Sequence, residues 1–481
     1  MKSYPSKEKG YLADWIEAQR SEFWRLSDAI WSYAELGMEE YRSSRAIVDC
    51  LRKNGFTVET GVADMPTAFV ATFGSGRPAI GFSCECDALP GLSQRKAVSQ
   101  KSPIVEGAPG HGCGHNLLGV GAVMAAAALK NTKERFGMPG TIKIFGTPAE
   151  ELQIGKPFMA RAGLFRDMDG FLDWHPAFMN AVDCGSCSAY FSLRYNFKGR
   201  TSHGAIPWAG RSALDAALLM GQMIEYLREQ ITPGGGSTSA NTINYSFPDV
   251  GPSFPNVVPD RATLWCIGRF NTSEELNYVI GRLDKCAEGA AMATETKVEP
   301  ERITASHERI PSRVLSQVLY DNLLAIGAPQ FTEEENRLAG EFPRVPGLGK
   351  PGLDTTIAPM MSFRPISDNS EYSWWAPLGF LMTATFPGGI SGGHDWQVNT
   401  CVGSTMGKKG MDIAAKVLGA SGIDLLTHPE TVTAARKEWE ECLQDRVYKS
   451  LIPETVKPAV LINRETMDKY RPLQEKYYEN P

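Results

Sequence analysis

Cys113 and His115 stand two residues apart in Gly110-His111-Gly112-Cys113-Gly114-His115-Asn116, and Glu150 and Glu151 stand side by side in Pro148-Ala149-Glu150-Glu151. A thiolate, an imidazole and two carboxylates suit a borderline-soft divalent metal with a base beside it. The chain has seven histidines, of which His175 follows an apolar stretch and His394 a glycine-rich one. Cys113, His115, Glu151, His175 and His394 together offer nitrogen, sulfur and oxygen ligands, enough for one closed site or for two metals with open positions. Glu150 is then the adjacent carboxylate that does not ligate and takes a proton from water. Taken singly, His175 reads as a hydrogen-bonded structural histidine and the Glu pair as solvated charges, so the set carries the metal reading.

The elements that must position these residues follow from the apolar pattern. Residues 11–54 read as two helices, with Trp15, Phe23, Leu26, Ile30, Ile47, Val48 and Leu51 near helical spacing and Gly55 as a stop. Residues 68–73 and 79–86 read as strands, the second a buried parallel strand ending at Asp87-Ala88-Leu89-Pro90. Residues 117–130 form an alanine-rich helix, which puts Cys113 and His115 at its N-terminal end. Strands at 141–146 and 170–174 lead to Glu150-Glu151 and end at His175. The candidate ligands thus gather beyond strand ends of one α/β unit, where open sheets place their sites.

Residues 188–305 change character, with strands and helices in the order β-α-β-β-α-β of a compact α+β insert with a four-stranded sheet. The expected division is 1–187 and 306–481 for one discontinuous metal-binding domain and 188–305 for a second. Residues 331–377, rich in proline, glycine and charge, read as a surface excursion. A helix at 406–420 precedes a charged tail expected to be loosely attached.

A chain of 481 residues with 42% hydrophobic and 22% charged residues has material for more than one core. The net charge of -6 gives no basic surface for a nucleic acid. No apolar run is long enough to span a membrane and no apolar segment follows the polar first ten residues, so a cytoplasmic protein is expected. The ten cysteines are scattered and read as reduced and mostly buried; Cys184-Gly185-Ser186-Cys187 has C-x-x-C spacing but no second pair.

These motifs, with Trp174-His175 and the run Gly199-Arg200-Thr201-Ser202-His203-Gly204-Ala205-Ile206-Pro207 followed by Gly210-Arg211-Ser212-Ala213-Leu214-Asp215-Ala216, resemble the M20 metallopeptidase family. Within it the chain most resembles the amidohydrolase branch that holds aminoacylases and p-aminobenzoyl-glutamate hydrolase subunits. The resemblance implies an α/β zinc-peptidase-like catalytic domain with a mixed, mostly parallel sheet, plus an inserted ferredoxin-like lid and dimerisation domain at 188–305. It implies two divalent ions, zinc or manganese first and cobalt or nickel also compatible, held by Cys113, His115, Glu151, His175 and His394, with Glu150 as general base. Asp87 matches the carboxylate that orients a ligand. His203 matches an oxyanion-steadying histidine that reaches a partner subunit's site, and Asn256 and Arg269 match residues that hold the substrate carboxylate.

The implied activity is hydrolysis of an amide bond between an acyl group, plausibly aromatic, and an amino acid, by a homodimer joined through the lid. Two alternatives stand beside it: hydrolysis of another C–N bond, and a catalytically silent subunit of a hetero-oligomer. The chain departs from the branch pattern at Asn116, where aspartate is usual, and at Ser367 to Trp375, which replaces an acidic-aromatic motif. Trp208, Trp374, Trp375, Phe386 and Trp396 are candidates to line an aromatic acyl pocket, or ordinary core and lid packing.

Overall fold

A computed structural model describes residues 6–234, 241–252, 254–363 and 367–479. Ser6 caps α1 (Lys7–Tyr33) by accepting the Lys9 N–H. The buried Glu35 carboxylate accepts the Arg42 and Ser43 N–H groups at the start of α2 (Tyr41–Lys53). A short β1 (Thr57–Thr60), which the apolar pattern does not reveal, precedes β2 (Phe69–Ser75) and β3 (Ala79–Cys84). Next come α3 (His115–Phe136), β4 (Gly140–Gly146), α4 (Gly155–Arg161), β5 (Gly170–Ala177) and β6 (Ala181–Asp183).

The middle of the chain supplies β7 (Ala189–Lys198), α5 (Ala213–Arg228), β8 (Thr242–Asp249), β9 (Arg261–Phe270), α6 (Ser273–Ala293) and β10 (Lys297–Ser306). After it come α7 (Arg313–Ile326), α8 (Glu333–Glu341), α9 (Ser370–Ser373) and β11 (Leu378–Ala384). The chain closes with α10 (Trp396–Val402), α11 (Thr405–Thr427), α12 (Pro429–Leu443) and α13 (Arg464–Glu479).

Among the described residues the larger sheet has seven strands in the order β1-β2-β4-β3-β5-β11-β6. β4, β3, β5 and β11 run parallel at its centre, and β1, β2 and β6 are antiparallel to their neighbours. Parallel strands with both faces covered carry apolar side chains throughout, and every residue of β3 is buried. α3 packs on this sheet between α1 and α11, and burial on all sides explains why its alanine- and glycine-rich sequence lacks a polar stripe. Gly121 is needed there, since an added Cβ would lie 2.7 Å from the Trp174 ring.

The smaller sheet has the antiparallel order β10-β7-β9-β8. α5 and α6 pack on each other and on this sheet, giving the expected β-α-β-β-α-β unit. No helix among the described residues is long and apolar enough to cross a membrane.

Three expectations are corrected. His175 lies inside β5, which continues to Ala177, because β11 pairs alongside it as far as Ala384. The 331–377 segment is a surface excursion only in part. Asp368, Asn369, Glu371 and Tyr372 are buried, and Tyr372 stacks on Phe171 at 4.5 Å between ring centroids. The C-terminal tail is firmly docked: Trp439 Nε1 donates to Ser373 O at 2.6 Å, and Arg464 and Arg471 both bind the buried Glu39 carboxylate. Charge in that tail made it read as solvated, but its arginines pair with the buried Glu39 and Glu35 carboxylates.

Candidate metal centre

Each candidate ligand sits where a strand or helix of the larger sheet delivers it. The loop after β3 carries Asp87, the start of α3 carries Cys113 and His115, the turn after β4 carries Glu150 and Glu151, β5 carries His175, and the loop before α10 carries His394. Gly114 precedes α3 at φ +90°, and an added Cβ would lie 2.9 Å from the Pro176 ring. Only glycine combines that backbone with that approach, which brings Cys113 Sγ to 3.4 Å from His175 Nε2.

Glu150 and Glu151 sit on a 3₁₀ turn flanked by two non-glycine residues with left-handed backbone, Ala149 at φ 55° and Gln153 at φ 56°. Such conformations persist where surroundings over-determine them. Here the buried Glu40 carboxylate accepts the Ala149 N–H at 2.8 Å and Asp87 Oδ2 accepts the Glu151 N–H at 2.9 Å.

Asp87 Oδ1 also accepts from His115 Nδ1 at 2.9 Å, which turns His115 Nε2 toward the cluster. That nitrogen and Glu151 Oε1 are buried without a hydrogen-bond partner. His175 is oriented in the same way, its Nδ1 lying 2.7 Å from Pro176 O. His394 Nε2 lies 3.3 Å from Glu151 Oε2. Among the described residues three donor groups result, Cys113 with His115 and His175, Cys113 with Glu151 and His394, and His115 with Glu85 and Glu150; within each, the ligand atoms lie within 4.8 Å of one another. Orphaned donor atoms and a shared thiol fit a pair of divalent ions.

The electrostatics agree with that fit. Burial, with the nearby Glu85 charge, holds the Glu150 carboxyl well above its ordinary range. Burial raises Glu151 to about 7 against the pull of His115, and it lowers His175 to about 4. Burial and the Glu151 charge push the Cys113 thiol up. Anionic donors are thus costly in this pocket until positive charge enters it.

A cavity of about 670 Å³ opens on these groups between the two sheets. Arg269 and Tyr190 reach it from the smaller sheet, and Phe178, Phe380, Met382 and Phe386 give it an apolar wall. Arg269 Nη1 donates to Asn244 Oδ1 at 3.3 Å, while its Nε is buried with no partner.

The structure therefore brings Cys113, His115, Glu150, Glu151, His175, His394, Asp87 and Arg269 to one place. It does not bring His203 or Asn256 there. Both are exposed on the smaller unit, joined by the Gly204 N–H to Asn256 O hydrogen bond of 2.8 Å, and neither lines the cavity. Of the aromatic candidates only Phe386 lines it. Trp208 is 74% exposed, and Trp374 is buried with its Nε1 on Glu308 O. His111 is structural, its Nε2 3.1 Å from Ile30 O. Asn116 ties α3 to Ser27 Oγ and Val402 O, so its departure from aspartate leaves the ligands untouched. Cys184 and Cys187 are free thiols, each hydrogen-bonded to a backbone carbonyl.

Sequence reasoning missed Glu85, Gln153, Lys156 and Asp368. Gln153 Nε2 donates to Glu150 Oε1 at 3.0 Å, and Lys156 forms ion pairs with Glu85 and Asp368. The one signal for them was Glu85 itself, a carboxylate inside an apolar strand run.

Over 94% of its length the chain is 32% identical to one of the p-aminobenzoyl-glutamate hydrolase subunits of Escherichia coli (strain K12), covering 98% of that protein. It is also 32% identical to the other subunit of that name, over 51% of this chain and 57% of that one. Its fold matches the aminobenzoyl-glutamate utilization protein from Klebsiella pneumoniae, with TM-score 0.60 at 18% identity over 87% of this chain and 98% of that one. It also matches YXEP of Bacillus subtilis, described as a dinuclear metal binding peptidase of the M20 family, with TM-score 0.54 at 16% identity over 85% and 99%. Residues 81–358 match peptidase family M20/M25/M40, and the chain, with its paired donor groups around Cys113, belongs to that family.

Proposed function

We propose that the chain hydrolyses the amide bond between an acyl group, aromatic in the best case, and an amino acid, with p-aminobenzoyl-glutamate as the type of substrate. The observation that carries this is the placement of Glu150 beside the two donor groups that share Cys113, with Arg269 facing them across one cavity. The name of the Escherichia coli relative that matches 94% of the chain supports it.

Cys113, His115 and His175 would hold one ion, and Cys113, Glu151 and His394 the other, with zinc or manganese suited to this donor set and cobalt or nickel also compatible. Bound there, the ions supply Lewis acidity to the scissile carbonyl and acidify the attacking water. Gln153 holds Glu150 Oε1, which leaves Oε2 to accept the proton of that water and return it to the departing nitrogen. The Arg269 guanidinium pairs with the substrate carboxylate through its unpartnered edge. The apolar wall at Phe178, Phe380 and Phe386 receives the acyl group and excludes water.

In the same reading residues 1–187 and 306–481 form the catalytic domain and 188–305 the lid. His203 and Asn256, exposed on the lid, serve the site of a second subunit, identical or different. The Escherichia coli relatives are two differing chains that share one hydrolase name. That likeness favours a different partner, against the homodimer expected from the motifs. Free cysteines support a reducing compartment such as the cytoplasm.

The test is elemental analysis of protein purified without chelator and incubated with zinc or manganese, followed by an assay of benzoyl- and p-aminobenzoyl-amino acids. About two ions per chain and release of the amino acid are expected. Absence of ions would move the reading to a silent subunit, and hydrolysis only of amides lacking a carboxylate would move it to another C–N bond.

A further inference from the structure

Residues 343–361 carry no helix or strand of their own, yet they are fastened at several points beside the cavity. The Val345 N–H donates to Gly389 O at 2.8 Å and the Gly389 N–H to Leu348 O at 2.7 Å, and Gly352 and Gly388 exchange backbone hydrogen bonds of 3.3 and 2.9 Å. Asn180, fully buried, grips the segment from the other side. Its Nδ2 donates to Asp354 O and to Thr356 O, each at 3.0 Å, its backbone O accepts the Ala358 N–H at 2.9 Å, and its Oδ1 accepts the Ala384 N–H of β11 at 2.9 Å. Leu353, Ile357 and Met360 pack on the main core. A long segment without regular structure, held this firmly in a compact domain, calls for a function.

The turn that Asn180 closes, between β5 and β6, also carries Phe178. Of the cavity's apolar wall, Phe380 and Met382 are fixed by β11, whereas Phe178 stands outside any strand and is half-buried. Its ring rests on glycine backbone. A Cβ added to Gly349 would lie 3.2 Å from Phe178 Cε2, and one added to Gly388 would lie 3.6 Å from Phe178 Cδ2. Gly349 has φ +72°, a backbone that glycine takes up without strain. The segment thereby closes on a ring that borders the cavity.

We propose that residues 343–361 are the acyl-specificity element of this chain: with Gly349 and Asn180 as positioning residues, they set how far the Phe178 ring enters the cavity, and the pocket so bounded selects benzoyl-type acyl groups over acetyl. This rests on the amide-hydrolase reading above. An aromatic acyl group covers the wall of Phe178, Phe380 and Phe386, an acetyl group leaves most of it bare, and the preference follows from the apolar area buried. Protection of the β6 edge, where the Met361 N–H donates to Val182 O at 3.2 Å, accounts for the end of the segment and not for the approach of Gly349 to Phe178.

The test measures kcat/KM for benzoyl-glutamate and acetyl-glutamate, and calorimetric binding of p-aminobenzoate, in wild type, Phe178→Ala and Gly349→Ala, with circular dichroism to establish folding. Wild type is expected to favour benzoyl-glutamate. Phe178→Ala should lower that preference about 10- to 100-fold, the range for apolar contacts in a specificity pocket, and weaken p-aminobenzoate. Gly349→Ala, whose methyl group presses the ring inward, should lower kcat/KM for benzoyl-glutamate about tenfold and leave acetyl-glutamate nearly unchanged. Should Gly349→Ala not fold, Gly349→Asn, whose side chain tolerates left-handed backbone, is read in the same way. Equal losses on both substrates in either folded variant, or a wild type that cleaves both equally well, overturn the proposal and leave amide hydrolysis standing. A wild type that cleaves neither ends the amide-hydrolase reading, and p-aminobenzoate then decides the pocket: binding that weakens in both variants supports it, and binding that is absent or unchanged overturns it.

Discussion

His115 and Asp87 are joined by a hydrogen bond of 2.9 Å between Nδ1 and Oδ1, with neither side chain exposed to solvent. The same carboxylate takes the Glu151 N–H on its other oxygen. One side chain thus fixes the orientation of one candidate ligand on α3 and the place of another after β4.

Asp87→Ala is expected to weaken metal binding by about 10- to 100-fold, the usual cost of losing such an orienting partner. Chelator titration followed by elemental analysis reads this directly. An unchanged titration would show that packing alone holds His115.

Glu150→Gln keeps the shape of the base and removes its proton affinity. Turnover should fall at least a hundredfold, the low end of a general-base contribution of about 10² to 10⁴, with metal content unchanged. Full activity in a metal-loaded variant would end the assignment of Glu150.

Arg269→Ala should raise KM for an acyl-glutamate by about 10- to 100-fold, as expected when a charge-assisted contact worth roughly 1.5 to 3 kcal/mol is lost. An amide of the same acyl group without a carboxylate should be affected far less. Equal losses on both substrates would place Arg269 outside the carboxylate subsite.

Glu40 gives a pH dependence whose sign can be worked out. Burial and then the Asp87 charge raise it from 4.5 to about 8, so between these values the folded state binds more protons than the unfolded one. Stability from this group is therefore present below pH 4.5 and is lost as pH rises toward 8. Glu40→Gln keeps the bond to the Ala149 N–H and removes the titration. Its melting temperature relative to wild type should climb between pH 5 and pH 8, and a constant difference would show that Glu40 titrates normally.

Trp439→Ala tests the docked tail. Trp439 is 7% exposed and donates to Ser373 O beside the buried 368–373 segment. Truncation should cost about 3 to 5 kcal/mol, read from denaturant unfolding. A loss within the scatter of surface substitutions, roughly 0.5 kcal/mol, would mean the tail is held elsewhere.

Donor chemistry and order along the chain were legible from the amino acids alone. A cysteine and a histidine framed by glycines, a Glu-Glu pair after a strand, and alternating strand and helix patterns are local properties, and local patterns survive in a one-dimensional string. The β-α-β-β-α-β unit was readable for the same reason, since each of its elements carries its own period. The tertiary structure alone decided which residues share the pocket. It brought Arg269 to the cavity of the candidate ligands and left His203 and Asn256 on an exposed face. It buried Asp368 and Tyr372 in a segment whose proline, glycine and charge read as surface, and it docked a charged tail onto Glu39. Lys156 on α4 and Glu85 just beyond β3 meet only in the folded chain, in an ion pair of 2.7 Å. Their worth to each other is a matter of burial and a few ångströms, quantities that depend on residues distant in the chain and so leave no mark in local sequence.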